Sequence, residues 1–298
     1  MALTLNQVVK RFGDFTAVSH LSLEIPEKRM FGFLGANGAG KTTTFRMILD
    51  LLKPTSGDIL WEGRKLTYRD SQLIGYLPEE RGLYPKVKVS EQLVYFGKLK
   101  GMTKKSAQNE AKKWLEVFDI PEYYDKKIEE LSKGNQQKIQ FIAAVIHKPH
   151  LLILDEPFSG LDPVNVEKLK EAVIKLKEQG TSIIFSSHRM DHVEELCENL
   201  CIMHHGKPLV SGTLQEVKNS YGKKTVLVNG NFETEDLKEL PGVLDYKKDN
   251  RGTYFKIDHE DVSQEIFQRI STRGFVKTFS IEEPTLNEIF IDKVGGHS

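Results

Sequence analysis

The chain has 298 residues, 39% hydrophobic and 28% charged, with Lys+Arg and Asp+Glu balanced at 42 each. That length suits one large or two modest domains with enough apolar material for a core, and zero net charge argues against a general nucleic-acid binder. Two cysteines, Cys197 and Cys201, exclude a disulfide framework in a chain this long and suit a reducing cytosol.

The N-terminal MALTLNQVVKRFG lacks an apolar segment behind a basic start, so no leader is expected. LTLNQVV and AVSHLSLEI alternate like β-strands, and MFGFLG is a short apolar run of the kind that forms a buried strand. From Thr42 the period changes to a helical one, with FRMILDLL expected to stop at Lys53-Pro54. GDILWEG and IGYLPEE read as strands, the second stopped by Pro78. Residues 90–146 are helical in pattern and read as an inserted subdomain. HLLILDEP is apolar on both faces, as a central strand covered by helices must be. A helix over 164–179, the strand TSIIFSSH, the short helix DHVEELCENL and the hairpin LCIMHHGKPLVSG follow. Strands alternating with helices give a mostly parallel α/β sheet. No apolar run approaches the roughly 20 residues of a membrane-spanning helix, so any membrane association would run through a partner.

A composition shift near residues 219–222 marks a second domain. KTVLVNG, DLKEL, GVLDYKK, GTYFKID, SQEIFQRISTRG and FVKTFSI predict strand, helix, strand, strand, helix, strand, the order of a ferredoxin-like unit. The expected division is a first domain over 1–218, with its helical insertion at about 88–146, and a small accessory α+β domain over 224–298.

Two motifs carry chemistry. GANGAGKT, residues 35–42, matches G-x-x-x-x-G-K-[ST] between an apolar strand and a helix. Gly35, Gly38 and Gly40 let the backbone turn its N–H groups around phosphate oxygens, and the helix start adds its positive end. Lys41 would reach the outer phosphates and Thr42 would ligate Mg²⁺, while Asn37 and Thr43 belong to the same nucleotide-binding stretch. An ordinary glycine turn leaves the Lys-Thr pair unexplained. In LLILDE, Asp155 ends a buried strand where it can hold Mg²⁺ through Thr42 or water, and Glu156 can orient or deprotonate an attacking water. Cys197, Cys201, His204 and His205 have no standard zinc spacing and read as helix end, core strand and turn; His192 reads as a helix-face residue.

With these motifs in order, residues 1–218 resemble the nucleotide-binding subunits of ATP-binding-cassette (ABC) transporters. LSKGNQQK from Leu131 resembles the family signature, with Lys133 for a glycine and Asn135 for a glutamine. The resemblance implies a head-to-tail dimer in which Ser132 and the amides near Gly134 face the γ-phosphate bound by the other subunit; the partner is a second copy or a relative, and because both halves of a site are present in this sequence a homodimer is the simpler reading. It implies that SGLD at 159–162 is the loop joining the two sites and that His188 contacts the γ-phosphate. It places Glu79 where the family usually has a glutamine, as a further Mg²⁺ or water ligand, and Phe12 where an aromatic ring stacks on adenine. Read without the resemblance, Ser132 is a helix N-cap, Glu79 a solvated acid and Phe12 a core ring.

RGLYPKVKVSEQL carries apolar residues, Leu83, Tyr84, Pro85 and Val87, in the region where the family receives a helix of its membrane subunit. The implied function is ATP hydrolysis driving a separate multi-span permease from the cytoplasmic face of the membrane. The other class, a soluble ABC ATPase of DNA repair, translation or cofactor assembly, usually adds a long coiled coil, zinc modules or a second cassette, and none fits this sequence. IEEPTLNEIF resembles the tail of the sodium-extrusion and drug-efflux branch, which pairs with ABC-2-type permeases and usually exports; read locally, Thr285 and Glu288 have the spacing of a capping box.

Overall fold

The computed structural model describes residues 3–80 and 82–295. By packing, the chain divides into two units, Met1–Gly212 and Thr213–Ser298.

The first unit opens on strands β1 (Leu3–Phe12), β2 (Phe15–Ile25) and β3 (Met30–Leu34), helix α1 (Lys41–Ile48), and strands β4 (Ser56–Trp61), β5 (Arg64–Lys65) and β6 (Ile74–Leu77). Helices α2 (Val89–Leu99), α3 (Lys104–Val117) and α4 (Lys133–Val145) follow. Then β7 (Leu151–Asp155), α5 (Pro163–Glu178), β8 (Ser182–Ser187), α6 (Met190–Leu196), β9 (Asn199–His204) and β10 (Lys207–Thr213) complete it. One sheet, ordered β2-β1-β4-β5, is antiparallel. The other is ordered β10-β9-β3-β8-β7-β6, with β9, β3, β8, β7 and β6 parallel. β3 and β7 are buried at every residue, which accounts for their unbroken apolar sequences.

The core joins both sheets. Leu5, Val8, Leu21 and Ile25 of the antiparallel sheet pack with Phe33, Phe45, Ile153 and Ile184 of the parallel sheet and α1. The inserted helices hold together through Trp114, Phe118 and Phe141, whose rings meet edge-on or stacked at 5.8 to 6.0 Å.

α1 stops short of the predicted Lys53-Pro54 boundary. Asp50 enters the left-handed region, at φ 58°, just past the helix end at Ile48, and Leu51 N–H turns back to Arg46 O at 2.9 Å. A left-handed residue ends the helix before the proline can.

The second unit contains α7 (Leu214–Tyr221), β11 (Lys224–Gly230), β12 (Val243–Asp249), β13 (Gly252–Ile257), α8 (Asp261–Ser271), β14 (Val276–Glu282) and α9 (Leu286–Gly295). Its sheet is ordered β12-β13-β11-β14 with antiparallel neighbours, the ferredoxin-like arrangement. The first expected helix, at DLKEL, is only a 3-10 turn over Glu235–Glu239. Val226, Val228, Phe255, Ile257 and Ile266 form the core of this unit. The packing division precedes α7, which sequence composition groups with the first domain. Val217 and Tyr221 of α7 are buried, and the Tyr221 hydroxyl accepts a hydrogen bond from Lys256 Nζ on β13 at 2.8 Å. Thr285 caps α9: its side chain accepts from Glu288 N–H at 3.2 Å while the Glu288 carboxylate accepts from Thr285 N–H at 2.8 Å.

Candidate functional site

The carboxyl ends of four neighbouring parallel strands lie level. Leu34 of β3 pairs with Ser187 of β8, Asp155 of β7 with Ser186 of β8, and Leu77 of β6 with Leu154 of β7. The glycine-rich loop leaves β3, Pro78-Glu79 leaves β6, Asp155-Glu156 ends β7, and His188 follows β8. This is the edge of an α/β sheet at which ligands bind.

The loop from β3 turns into α1 at Gly40, which has φ 103°. A Cβ there would stand 2.6 Å from Ala17 O, so both torsion and space demand glycine. α1 has no side-chain cap, and its first internal hydrogen bond runs from Thr44 N–H to Gly40 O at 2.9 Å. The amides of residues 41–43 therefore precede the helical ladder and make the helix start an anion-binding end. Lys41 is only 6% exposed. Its Nζ donates to Gly35 O at 2.6 Å and Ala36 O at 3.3 Å, and lies 3.7 Å from Glu156 Oε1.

Thr42 Oγ1 donates to Asp155 Oδ2 at 2.8 Å. Ser186 Oγ donates to Asp155 Oδ1 at 2.5 Å and accepts from Glu156 N–H at 3.0 Å. One buried hydroxyl thus fixes both carboxylate residues. Glu156 itself sits at φ 50°, a left-handed position that costs a non-glycine residue about 1–2 kcal/mol and turns its side chain out of the strand alternation. Its Oε2 is bonded to His188 Nδ1 at 2.9 Å, and its buried Oε1 accepts no hydrogen bond from the described residues. The burial of Tyr76 and the nearby Asp155 carboxylate push the Tyr76 phenol up to about 12.

A cleft of about 260 Å³ is lined by Phe15, Ala17, residues 36–43, Glu79, Asp155 and Glu156. It brings together Asn37, Gly38, Gly40, Lys41, Thr42, Thr43, Glu79, Asp155 and Glu156. Gly35 serves from behind, through its carbonyl on Lys41, and His188 through its bond to Glu156. Phe12 does not line the cleft; it is 48% exposed, with Lys10 Nζ 5.1 Å from its ring centre. Phe15, paired with it across the hairpin turn, does line it.

Ser132 and Gly134 are also outside the cleft. Ser132 is the exposed N-cap of α4, accepting from Asn135 N–H at 3.3 Å. A Cβ on Gly134 would stand 3.0 Å from Asn165 Nδ2. Asn165 also donates to Asp162, the N-cap of α5, and these hydrogen bonds hold the Asp162 carboxyl below its ordinary range.

Ser186 and Phe15 are the site residues that sequence reasoning passes over. The signal for Ser186 is a pair of serines closing an otherwise apolar strand directly before His188; Phe15 has only its place two residues past a Gly13 turn. Cys197 and Cys201 are buried and unbridged, with burial pushing the Cys201 thiol up to about 12. His192 is buried on α6 with its ring 4.8 Å from that of Phe158. Among the described residues no three His, Cys, Asp or Glu side chains gather as metal ligands.

The ABC transporter family model matches residues 18–159, and a model described as the C-terminal domain of DrrA1-3-like ATP-binding proteins matches residues 212–294. The chain is 61% identical over 293 residues to YhaQ of Bacillus subtilis (strain 168), an uncharacterized ABC transporter ATP-binding protein, covering 98% of each. It is 32% identical to the linearmycin resistance ATP-binding protein LnrL of the same organism, again covering 98% of each. A solved ATP-binding subunit of an ABC transporter superposes with a TM-score of 0.69 at 27% identity, covering 74% of this chain and 94% of that one. With an uncapped helix start behind the glycine-rich loop, a buried Asp-Glu pair beside it and relatives matched almost end to end, this chain belongs to the ATP-binding subunits of ABC transporters, ATPases whose hydrolysis is coupled to transport.

Proposed function

We propose that two copies of this subunit sandwich two ATP·Mg²⁺ head to tail at the cytoplasmic face of the membrane and drive export through a separate permease. The observation that carries this reading is the separation of the two phosphate-facing helix starts. α1 opens into the cleft, whereas Ser132 and Gly134 at the start of α4 lie outside it, with Ser132 exposed. At about 260 Å³ the cleft is also smaller than the roughly 300–1,000 Å³ of sites that enclose their ligands, as expected for half of a shared pocket. Export is supported by relatives named for linearmycin resistance and for bacitracin transport, the latter BcrA of Bacillus licheniformis at 30% identity over 97% of this chain. The C-terminal unit is the accessory domain of that branch, and no nucleic-acid role is needed.

The donors around Thr42 suit Mg²⁺: a hydroxyl and a carboxylate 2.8 Å apart, with Glu79 lining the same cleft, are all hard oxygens. Thr42, Asp155 and Glu79 would hold the ion directly or through water, and it would neutralise charge on the β- and γ-phosphates. The amides of residues 38–43 and Lys41 bind the phosphates, and Phe12, with Phe15 beside it, supplies the aromatic face for adenine. Glu156 Oε1, buried and without a hydrogen bond from the described residues, accepts the proton of the attacking water. His188 holds the other carboxylate oxygen and contacts the γ-phosphate. Ser132 and the Gly134 amide of the second copy close the site.

Glu156→Gln keeps the shape of the side chain and removes the base. ATP affinity should be retained, hydrolysis should fall by roughly 10²–10⁴-fold, and ATP should shift the variant to a dimer in size-exclusion chromatography. Undiminished steady-state hydrolysis would remove Glu156 from the mechanism.

A further inference from the structure

α4 makes two polar attachments that neither the cleft nor the hairpin explains. Gln140 on α4 is 5% exposed, and its Nε2 donates to Pro78 O at 3.2 Å and to Glu80 O at 3.0 Å. These carbonyls flank Glu79, so one amide group grips the backbone on both sides of a residue that lines the cleft. The carbonyl oxygen of Gln140 is buried and has no donor among the described residues, so its two N–H groups are what tie it to its surroundings. Gln137, three residues earlier and on the same side of the helix, donates at 3.3 Å to the carbonyl of Pro157, the residue after Glu156. α4 is also seated on the strand that delivers Glu79: a Cβ on Gly75 of β6 would run into Ala144 O of α4, so only glycine lets the helix backbone lie that close.

We infer that Gln140 is a positioning residue that ties α4 to the loop carrying Glu79, so that engagement of the α4 N-terminus by a neighbouring subunit's nucleotide is transmitted to Glu79 in this chain's own cleft. The inference rests on the composite-site reading above. α4 then acts as a strut. Its N-terminal end belongs to the neighbour's nucleotide, its middle to the loops after β6 and β7. Any displacement of α4 either carries the Pro78–Glu80 backbone along or breaks two partly buried hydrogen bonds, leaving the buried Gln140 amide without its acceptors, which is costly. The buried Gln140 touches loop backbone and not the cleft, so it acts through Glu79.

The test uses the purified full chain and steady-state ATP hydrolysis. Gln140→Met keeps length and volume but has no donor. Its kcat should fall roughly tenfold while ATP affinity stays within about twofold. The same loss should not add to that of Glu79→Gln, because both changes remove one linkage. Gln140→Glu gives a second, independent readout. An ionised carboxylate opposes the two carbonyls, whereas a protonated one donates again, and burial raises its pKa. Its kcat relative to the parent should therefore recover between about pH 8 and about pH 6, and a purely structural defect would not. Full kcat in Gln140→Met, a loss confined to ATP affinity, additivity with Glu79→Gln, or a pH-independent Gln140→Glu defect would each overturn the proposal. If Glu156→Gln fails to dimerise with ATP yet the Gln140–Glu79 cycle is non-additive, the composite reading falls and the intrachain tie stands. If the dimer forms and the cycle is additive, the tie falls alone.

Discussion

A hydroxyl on β8 sets the geometry of both acids at the end of β7. Ser186 is fully buried, donates to Asp155 and accepts from the Glu156 backbone. The second bond helps hold Glu156 at φ 50°, where a strand residue would otherwise relax. Removing the hydroxyl leaves one buried N–H without an acceptor and one carboxylate oxygen without its donor, costing about 1–3 kcal/mol. Ser186→Ala should therefore lower the urea midpoint of the chain. It should also lower kcat more than ATP affinity, because the amides of residues 38–43 proposed to bind the phosphates lie on another element. Equal loss in kcat and affinity would show that Ser186 supports the phosphate loop instead. The sequence makes Asp155 and Glu156 legible because their order after an apolar strand is itself a motif. Ser186 is not legible that way, since a serine becomes a ligand of two neighbours only once β7 and β8 are in register.

Elements were legible wherever one period ran uninterrupted. β3 and β7 are buried at every position and read as central strands; α5 begins at a proline behind an aspartate cap and reads as a helix to within one residue at each end. Their ends were less so: α1 stops at Ile48, with Asp50 in a left-handed backbone before Pro54 is reached. Only a 3-10 turn forms at DLKEL, where a short polar stretch has too few turns to sustain an α-helix. The β1–β2 hairpin shows the same limit. Its register pairs Phe12 with Phe15, both exposed, and only Phe15 lines the cleft. Motif position points to Phe12 as the adenine platform, and geometry adds Phe15. Stacking on a base is worth about 1–3 kcal/mol. Phe12→Ala should thus weaken ATP binding roughly tenfold or more in a fluorescent-nucleotide titration if its ring carries the base. Phe15→Ala should produce that loss if the adenine lies where the cleft now runs. A weakening confined to Phe15→Ala would move the assignment across the turn.

At the scale of the whole molecule, no helix among the described residues is long and apolar enough to cross a membrane. Coupling to transport then requires a surface that a membrane subunit can hold. The start of the helical insertion and the segment just before it offer one. Tyr84, Tyr95 and Leu99 are 56%, 50% and 59% exposed, and Tyr95 and Leu99 lie one turn apart on α2. Tyr84 is anchored from behind, its N–H donating to the buried Gln92 side chain of α2 at 3.0 Å, so the ring is presented on a fixed backbone. Exposed rings on a firm support are the residues that dominate interfaces, each losing about 2 kcal/mol or more on truncation at a hot spot. Changing them leaves the cleft intact, since none lines it. Tyr84→Asp and Tyr95→Asp should each keep parental ATP affinity in solution. In cells expressing the full chain, both variants should move from the membrane pellet to the supernatant relative to the parent. If they sediment with membranes as the parent does, the permease is held elsewhere, and the exposed rings of Tyr84 and Tyr95 serve the fold of this region alone.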